Sequence, residues 1–218
     1  LHYAAHLAER GYVTLAPEYC LSICSANHAE YGEYHVDAYA KGYASNTMKG
    51  IWNHMRAVDL LQSLPDVDSQ RIGTIGHSLG GHNSMFVAAF DTRLKVIVSS
   101  CGFTAETKCY GGDLTVWSHP GYMPRIAEIY DKDPQKMPFD FHEVVAALAP
   151  RPFFANAPVH DDNFDVSGVQ DCMAAALPIY QLLEAGEKLK AIYPDCGHDF
   201  PDAPRAVAYA WVDRWLKS

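Results

Sequence analysis

Residues 76–80 read Gly-His-Ser-Leu-Gly, which fits the pattern G-x-S-x-G. In this pattern a serine lies on a tight turn between a strand and a helix, and a side chain at either Gly76 or Gly80 is expected to clash. The serine hydroxyl is then exposed beside the free N–H groups of a helix N-terminus, which can stabilise an oxyanion. The pattern therefore predicts Ser78 as a nucleophile and the backbone N–H of Leu79 as an oxyanion donor.

A serine hydroxyl is a poor nucleophile at neutral pH and needs a neighbouring base. His198 lies between the last predicted strand and the last predicted helix, so it should reach the same edge of the sheet as Ser78. Of the eleven histidines, only His198 combines this position with the chain order serine, acid, histidine. We therefore expect His198 to be the general base.

The acid that orients this histidine should follow the preceding strand, where three carboxylates compete. Asp161 is favoured because it comes first after the strand, and Phe164 can fix the loop to the core. Asp162 is the second candidate and Asp165 the third. At least one of the three is expected to be an ordinary loop residue.

The elements around these residues alternate between apolar strands and helices. Strands are predicted at residues 12–16, 71–76, 94–99, 151–156 and 188–193. Helices are predicted before Gly11, from a cap at Thr47 to residue 63, and at 79–90, 125–130, 141–148, 168–185 and 204–216. This alternation predicts an α/β fold, in one domain over residues 1–218, with a mostly parallel sheet and helices on both faces.

A long aromatic segment at about residues 101–140 interrupts the alternation and is expected to be a lid-like excursion. Tyr110, Trp117 and Tyr122 lie in it. They could line a substrate pocket, or they could form the excursion's own small core. His77, beside Ser78, could contact substrate or pack against neighbouring loops.

Charge and composition exclude several classes of function. The 218 residues have 17 Lys and Arg against 26 Asp and Glu, a net charge of −9, and no basic cluster, so nucleic acid is not expected as a partner. No apolar run approaches the roughly 20 residues that span a bilayer, so no membrane association is expected.

The six cysteines match no zinc or redox spacing, and free thiols are favoured. The alternatives are a Cys20–Cys24 disulfide or a bridge between other cysteines in an oxidising compartment. His2 and His6 share a helix face but have no third ligand nearby. We therefore expect neither a metal nor a cofactor.

Three segments together resemble an α/β-hydrolase of the dienelactone hydrolase and acetylxylan esterase-like group, with some similarity to prolyl oligopeptidase catalytic domains. They are the turn at 76–81, the acid loop at 161–164 and the histidine loop at 197–200. The resemblance implies a triad of Ser78, Asp161 and His198, which cleaves a carboxylic ester through an acyl-enzyme. A small-molecule ester or an acylated carbohydrate is the substrate it implies. A serine peptidase and a non-catalytic binding protein on the same scaffold are the alternatives.

The chain also departs from that group. Such folds begin with strands before the one predicted at 12–16, and one of those strands precedes a His-Gly loop that donates a second oxyanion N–H. Neither feature is found in this sequence. We therefore expect an N-terminally truncated fragment, whose missing strand would lie between the predicted strands at 12–16 and 71–76. Oligomeric state, compartment and the identity of the acyl and alcohol groups are not predicted.

Overall fold

A computed structural model describes residues 1–17 and 38–217. Its four strands are β1 (Ile72–His77), β2 (Leu94–Ser100), β3 (Phe153–Asn156) and β4 (Leu189–Ile192). They form a parallel sheet in the order β1-β2-β3-β4. The α-helices of the described residues are α1 (Tyr3–Glu9), α2 (Asn46–Ser63), α3 (Leu79–Phe90), α4 (Arg125–Tyr130), α5 (Phe141–Ala147), α6 (Val166–Leu182) and α7 (Asp202–Leu216). Short 3₁₀ helices lie at Glu106–Gly111, Leu114–Val116 and Gly186–Lys188.

Side chains alternate along β2 and divide the core into two layers. Val96 and Val98 pack with Phe154 against the buried face of α7. Ile97 belongs to a second, larger cluster, which contains buried residues of α2, α3, α5 and α6. Helices therefore cover both faces of a parallel sheet, and the predicted α/β fold is confirmed.

The carboxyl ends of the strands are aligned across the sheet. His77 pairs with Ser100, Ser100 with Asn156, and Asn156 with Ile192. Each of these residues is the last of its strand, so the loops that follow all begin from one row. A single edge of the sheet therefore carries the segments that contain Ser78, Asp161 and His198.

Most predicted elements are found, with α3 and α4 at the predicted bounds. The helix predicted to be capped by Thr47 begins at Asn46 instead, because Ser45 Oγ accepts the backbone N–H of Met48 at 3.0 Å. This difference concerns local geometry and leaves the order of elements unchanged.

Residues 12–16 do not form the predicted strand. Val13 and Leu15 are exposed, and a cleft of about 620 Å³ lies between this segment and β1. A strand needs a neighbour to pair its backbone N–H and C=O groups, and an apolar run alone does not supply one. The strand expected between this segment and β1 is not among the described residues, and the truncation stays a prediction.

The excursion at residues 101–140 has a small core of its own. Its buried members, joined by Phe164, are Cys101, Cys109, Leu114, Trp117 and Ile126. Tyr122 and Met123 pack against this cluster. The lid-like behaviour of the segment stays a prediction.

The expectation of free thiols is met at Cys101, Cys109, Cys172 and Cys196. Cys20 and Cys24 lie outside the described residues, so their predicted alternative, a disulfide, stays a prediction. Across residues 1–17 and 38–217, the helices are all too short or too polar to cross a membrane.

Candidate active site

The turn between β1 and α3 holds Ser78 in a strained backbone conformation, with φ 54° and ψ −122°. Positive φ at a non-glycine residue costs on the order of 1 to 3 kcal/mol and persists only where the surroundings impose it. Here the N–H of Ser78 donates to the carbonyl of Ser100 at 2.8 Å, and the carbonyl of Ser78 accepts from the N–H of His82 at 3.0 Å. The end of β2 and the first turn of α3 therefore fix the serine.

Glycine is required at two positions of this turn. A Cβ on Gly76 would lie 2.1 Å from the backbone of Gly80, and a Cβ on Gly81 would lie 2.7 Å from the carbonyl oxygen of Ser100. Gly80 itself has room for a side chain, because a Cβ there would meet only the Tyr3 hydroxyl at 3.8 Å. The prediction of a clash is thus wrong for Gly80, whose backbone, not its missing side chain, crowds the turn.

The three predicted triad residues are brought together. Ser78 Oγ lies 2.9 Å from His198 Nε2, and both carboxylate oxygens of Asp161 lie 3.0 Å from His198 Nδ1. With its proton on Nδ1, the imidazole donates to Asp161 and accepts from the Ser78 hydroxyl. This arrangement can remove the serine proton during attack on a carbonyl.

The acid loop distinguishes the three candidate carboxylates. Asp161 Oδ1 accepts the backbone N–H groups of Asn163 at 2.9 Å and Phe164 at 3.0 Å, and the side chain is 1% exposed. Asp165 instead caps α6 by accepting the N–H of Ser167 at 2.8 Å. Asp162 lines an open pocket beside the loop. The geometry therefore favours Asp161, although its role stays a prediction.

Aromatic rings support the histidine from one side. The ring of Phe164 lies 5.9 Å from that of His198, and the ring of Trp117 lies 6.0 Å from that of Phe164. His82 stacks on Trp117 with the ring centroids 4.4 Å apart. Burial lowers the pKa of His82 to about 3, so this ring is neutral and behaves as a packing group.

Residues at the carboxyl ends of β2 and β3 hold the histidine loop in place by hydrogen bonds. The amide of Asn156 donates to the carbonyl of Asp199 at 3.2 Å and to Ser100 Oγ at 2.9 Å. The Cys101 thiol donates to the same Asp199 carbonyl at 3.5 Å, and burial raises the pKa of this thiol. Sequence reasoning missed both residues. The one available signal was a polar Asn156 at the end of an otherwise apolar strand.

The candidates for substrate contact occupy different environments. Trp117 is buried and Tyr122 packs beside it, whereas Tyr110 is 53% exposed and its hydroxyl donates to Asn163 at 2.9 Å. His77 Nδ1 lies 3.0 Å from Ser100 Oγ, and its ring lies 5.0 Å from that of His198. Burial, followed by the charge of His198, lowers the pKa of His77. Contact of these four residues with substrate stays a prediction.

The role of the Leu79 N–H as oxyanion donor stays a prediction. Leu79 is the first residue of α3, so its N–H has no partner within the helix. It directly follows the nucleophile. An N–H in this place can face the oxygen of a carbonyl attacked by Ser78.

A serine on a strand-to-helix turn, followed in the chain by an aspartate and a histidine at the same sheet edge, defines an α/β-hydrolase. The solved structures agree on the fold. A glucuronoyl esterase of carbohydrate esterase family 15 from Caldicellulosiruptor kristjansonii superposes with a TM-score of 0.78 at 20% identity, covering 99% of this chain and 62% of that one.

Sequence comparison then gives the family. The model for fungal glucuronyl esterases matches residues 22–184, and the chain therefore belongs to the glucuronyl esterase family. The 4-O-methyl-glucuronoyl methylesterase of Hypocrea jecorina is 25% identical over 203 residues, 83% of this chain and 43% of that protein. Carbohydrate esterase MZ0003, from an unknown prokaryotic organism, is 28% identical over 138 residues, 60% of this chain and 32% of that protein. The chain thus spans about half or less of the curated relatives it matches.

Proposed function

We propose that this protein is a serine esterase that hydrolyses a carboxylic ester of a carbohydrate through an acyl-enzyme. The observation that carries the proposal is the pair of contacts at His198, 2.9 Å to Ser78 Oγ and 3.0 Å to the Asp161 carboxylate. Family membership supports the same reaction class.

In the first step, His198 Nε2 takes the proton of Ser78 as Oγ attacks the ester carbonyl. The N–H of Leu79 stabilises the oxyanion, and Asp161 stabilises the imidazolium. His198 then gives its proton to the departing alkoxide, and the acyl group stays on Ser78. Water, activated by the same imidazole, releases the acid and restores the serine.

The similarity to glucuronoyl esterases supports a more specific proposal for the substrate class. A glucuronoyl methylesterase acts on an ester whose acyl half is a sugar acid, rather than on a sugar that carries an acyl group. We therefore propose an alkyl ester of glucuronic acid as the substrate class. The intermediate on Ser78 would then be a glucuronoyl ester, and the alcohol would leave first.

The test compares hydrolysis of methyl glucuronate and of p-nitrophenyl acetate by the purified protein and by its Ser78→Ala variant. We expect both activities, and labelling by a fluorophosphonate, to disappear in the variant. If the unsubstituted (parent) protein is labelled but does not hydrolyse methyl glucuronate, the proposed serine hydrolase mechanism stands and the proposed substrate class is rejected. Absence of labelling and turnover in the parent protein would reject the esterase and favour a binding protein.

A further inference from the structure

The thiol of Cys101 lies close to the side chains of Asp161 and His198. Cys101 is the first residue after β2, and its backbone has φ 49°. One possible metal-ligating atom from each of Cys101, Asp161 and His198 lies within 4.8 Å of the others. Cys101 follows β2, Asp161 follows β3 and His198 follows β4. Because they are far apart in the chain, no motif in the sequence could predict this cluster.

Sulfur, imidazole nitrogen and carboxylate oxygen form a donor set that suits zinc. Zn²⁺ binds all three ligand types and often takes three protein ligands with a fourth position open to water. A thiolate also selects soft cations such as Zn²⁺ and Cd²⁺ over Mg²⁺ and Ca²⁺. We propose that Cys101, Asp161 and His198 form a binding site for a soft divalent cation, and that the bound cation switches the triad off.

An acidic pocket that is open to solvent lies beside this cluster. The pocket has a volume of about 330 Å³, and Asp161 is among the residues that border it. Three aspartates, Asp161, Asp162 and Asp165, line it together with a single lysine, Lys108. The local charge therefore favours entry of a cation.

Binding would change the tautomer of His198. Nδ1 donates to Asp161 in the active form, and it must lose its proton to ligate a cation. That proton moves to Nε2, while the Cys101 thiol releases its own proton to water. Nε2–H then donates to Ser78 Oγ and can no longer accept the serine proton. The predicted inhibition rests on the proposed esterase activity. The predicted binding of the cation is independent of that activity.

Binding is measured first, without any assay of activity, by titrating the protein with Cd²⁺ and recording the ultraviolet absorption of the cadmium–thiolate bond. We expect one site in the parent protein and in Ser78→Ala, which leaves all three ligands intact. Cys101→Ser should abolish the absorption. Asp161→Asn, which keeps the thiol, should weaken binding by roughly tenfold or more.

Inhibition is measured as the ratio of ester hydrolysis with and without Zn²⁺ for each variant separately, with Mg²⁺ as the control ion. Zn²⁺ should inhibit the parent protein and Cys196→Ser, and chelation should restore activity. Cys101→Ser should need roughly tenfold or more Zn²⁺ for the same inhibition. Cys196 is the matched control, because it lies next to the exposed pair of His160 and Asp195.

The proposal is overturned if Cys101→Ser keeps the cadmium–thiolate absorption, or if Cys196→Ser loses it. Inhibition of equal strength in the parent protein and in Cys101→Ser would also overturn it. If Cys101→Ser does not fold, the Asp161→Asn titration decides, and unchanged Cd²⁺ affinity there rejects the site. Cd²⁺ binding in a protein without esterase activity would reject the proposed function and leave the site standing.

Discussion

At the scale of single residues, the acid loop shows how two adjacent aspartates acquire different chemistry. Asp161 is buried, accepts two backbone N–H groups and meets His198, whereas its neighbour Asp162 lines an open pocket. The sequence ranked Asp161 first because Phe164 could fix the loop, and Phe164 is indeed buried with Trp117. Side-chain orientation within a loop depends on such tertiary contacts, so the sequence could rank these residues but not decide between them.

Replacing Asp161 with Asn should lower kcat about 10,000-fold, because the amide no longer holds the imidazole in the productive tautomer. Asp162→Asn is the matched control and should change kcat less than about twofold, since a surface charge has little influence across water. Steady-state kinetics on p-nitrophenyl acetate measures both. The assignment is wrong if Asp162→Asn loses activity and Asp161→Asn retains it.

At the scale of elements, the sequence predicted α3 at its observed bounds because the strand, the tight turn and the apolar helix are all encoded locally. It failed at residues 12–16, where an apolar run resembles a strand but pairing depends on a distant neighbour. The cap of α2 was also misplaced, because Ser45 and Thr47 are both good capping residues and only the backbone angle decides. Cys101 and Asn156 were missed because they follow or end other strands than β4, and only the folded sheet brings them to the histidine loop.

The turn before α3 gives a prediction for a pair of glycines. Gly76→Ala should destabilise the protein by about 3 kcal/mol or prevent folding, because the new methyl group would overlap the backbone of Gly80. Gly80→Ala should be neutral or stabilise by about 0.5 kcal/mol, because alanine favours the helix and the site has room. Urea unfolding of both variants measures the difference. Equal destabilisation would contradict the geometry of the turn.

At the scale of the whole molecule, one buried carboxyl makes stability depend on pH. Glu106 is 5% exposed, and burial together with the charges of Asp140 and Glu143 raises its pKa to about 8. In the unfolded chain this carboxyl loses its proton near its ordinary value of 4.5. Between these values the folded state binds the extra proton, so the contribution of Glu106 to stability falls as pH rises.

Glu106→Gln removes this titration while preserving shape. The wild type should lose on the order of 3 to 4 kcal/mol of unfolding free energy relative to Glu106→Gln between pH 5 and pH 8. Urea unfolding of both proteins at the two pH values gives this difference, with Glu128→Gln on α4 as a surface control. A parallel pH dependence for wild type and Glu106→Gln would show that the carboxyl is ionised when folded.

In the proposed esterase, the aligned strand ends make the rate of turnover a measure of correct sheet register. His77, Ser100, Asn156 and Ile192 occupy one row, and the reactive side chains leave from it on separate loops. A slip of one residue in any pairing would displace a loop by about 3.3 Å and reverse the faces of that strand. The hydrogen bond of 2.9 Å between Ser78 and His198 would be lost after a displacement of that size. A refolded sample with native helix content but a misaligned strand should therefore show no ester hydrolysis. The measured turnover would be proportional to the fraction of molecules with the native strand register, rather than to the fraction that is merely compact.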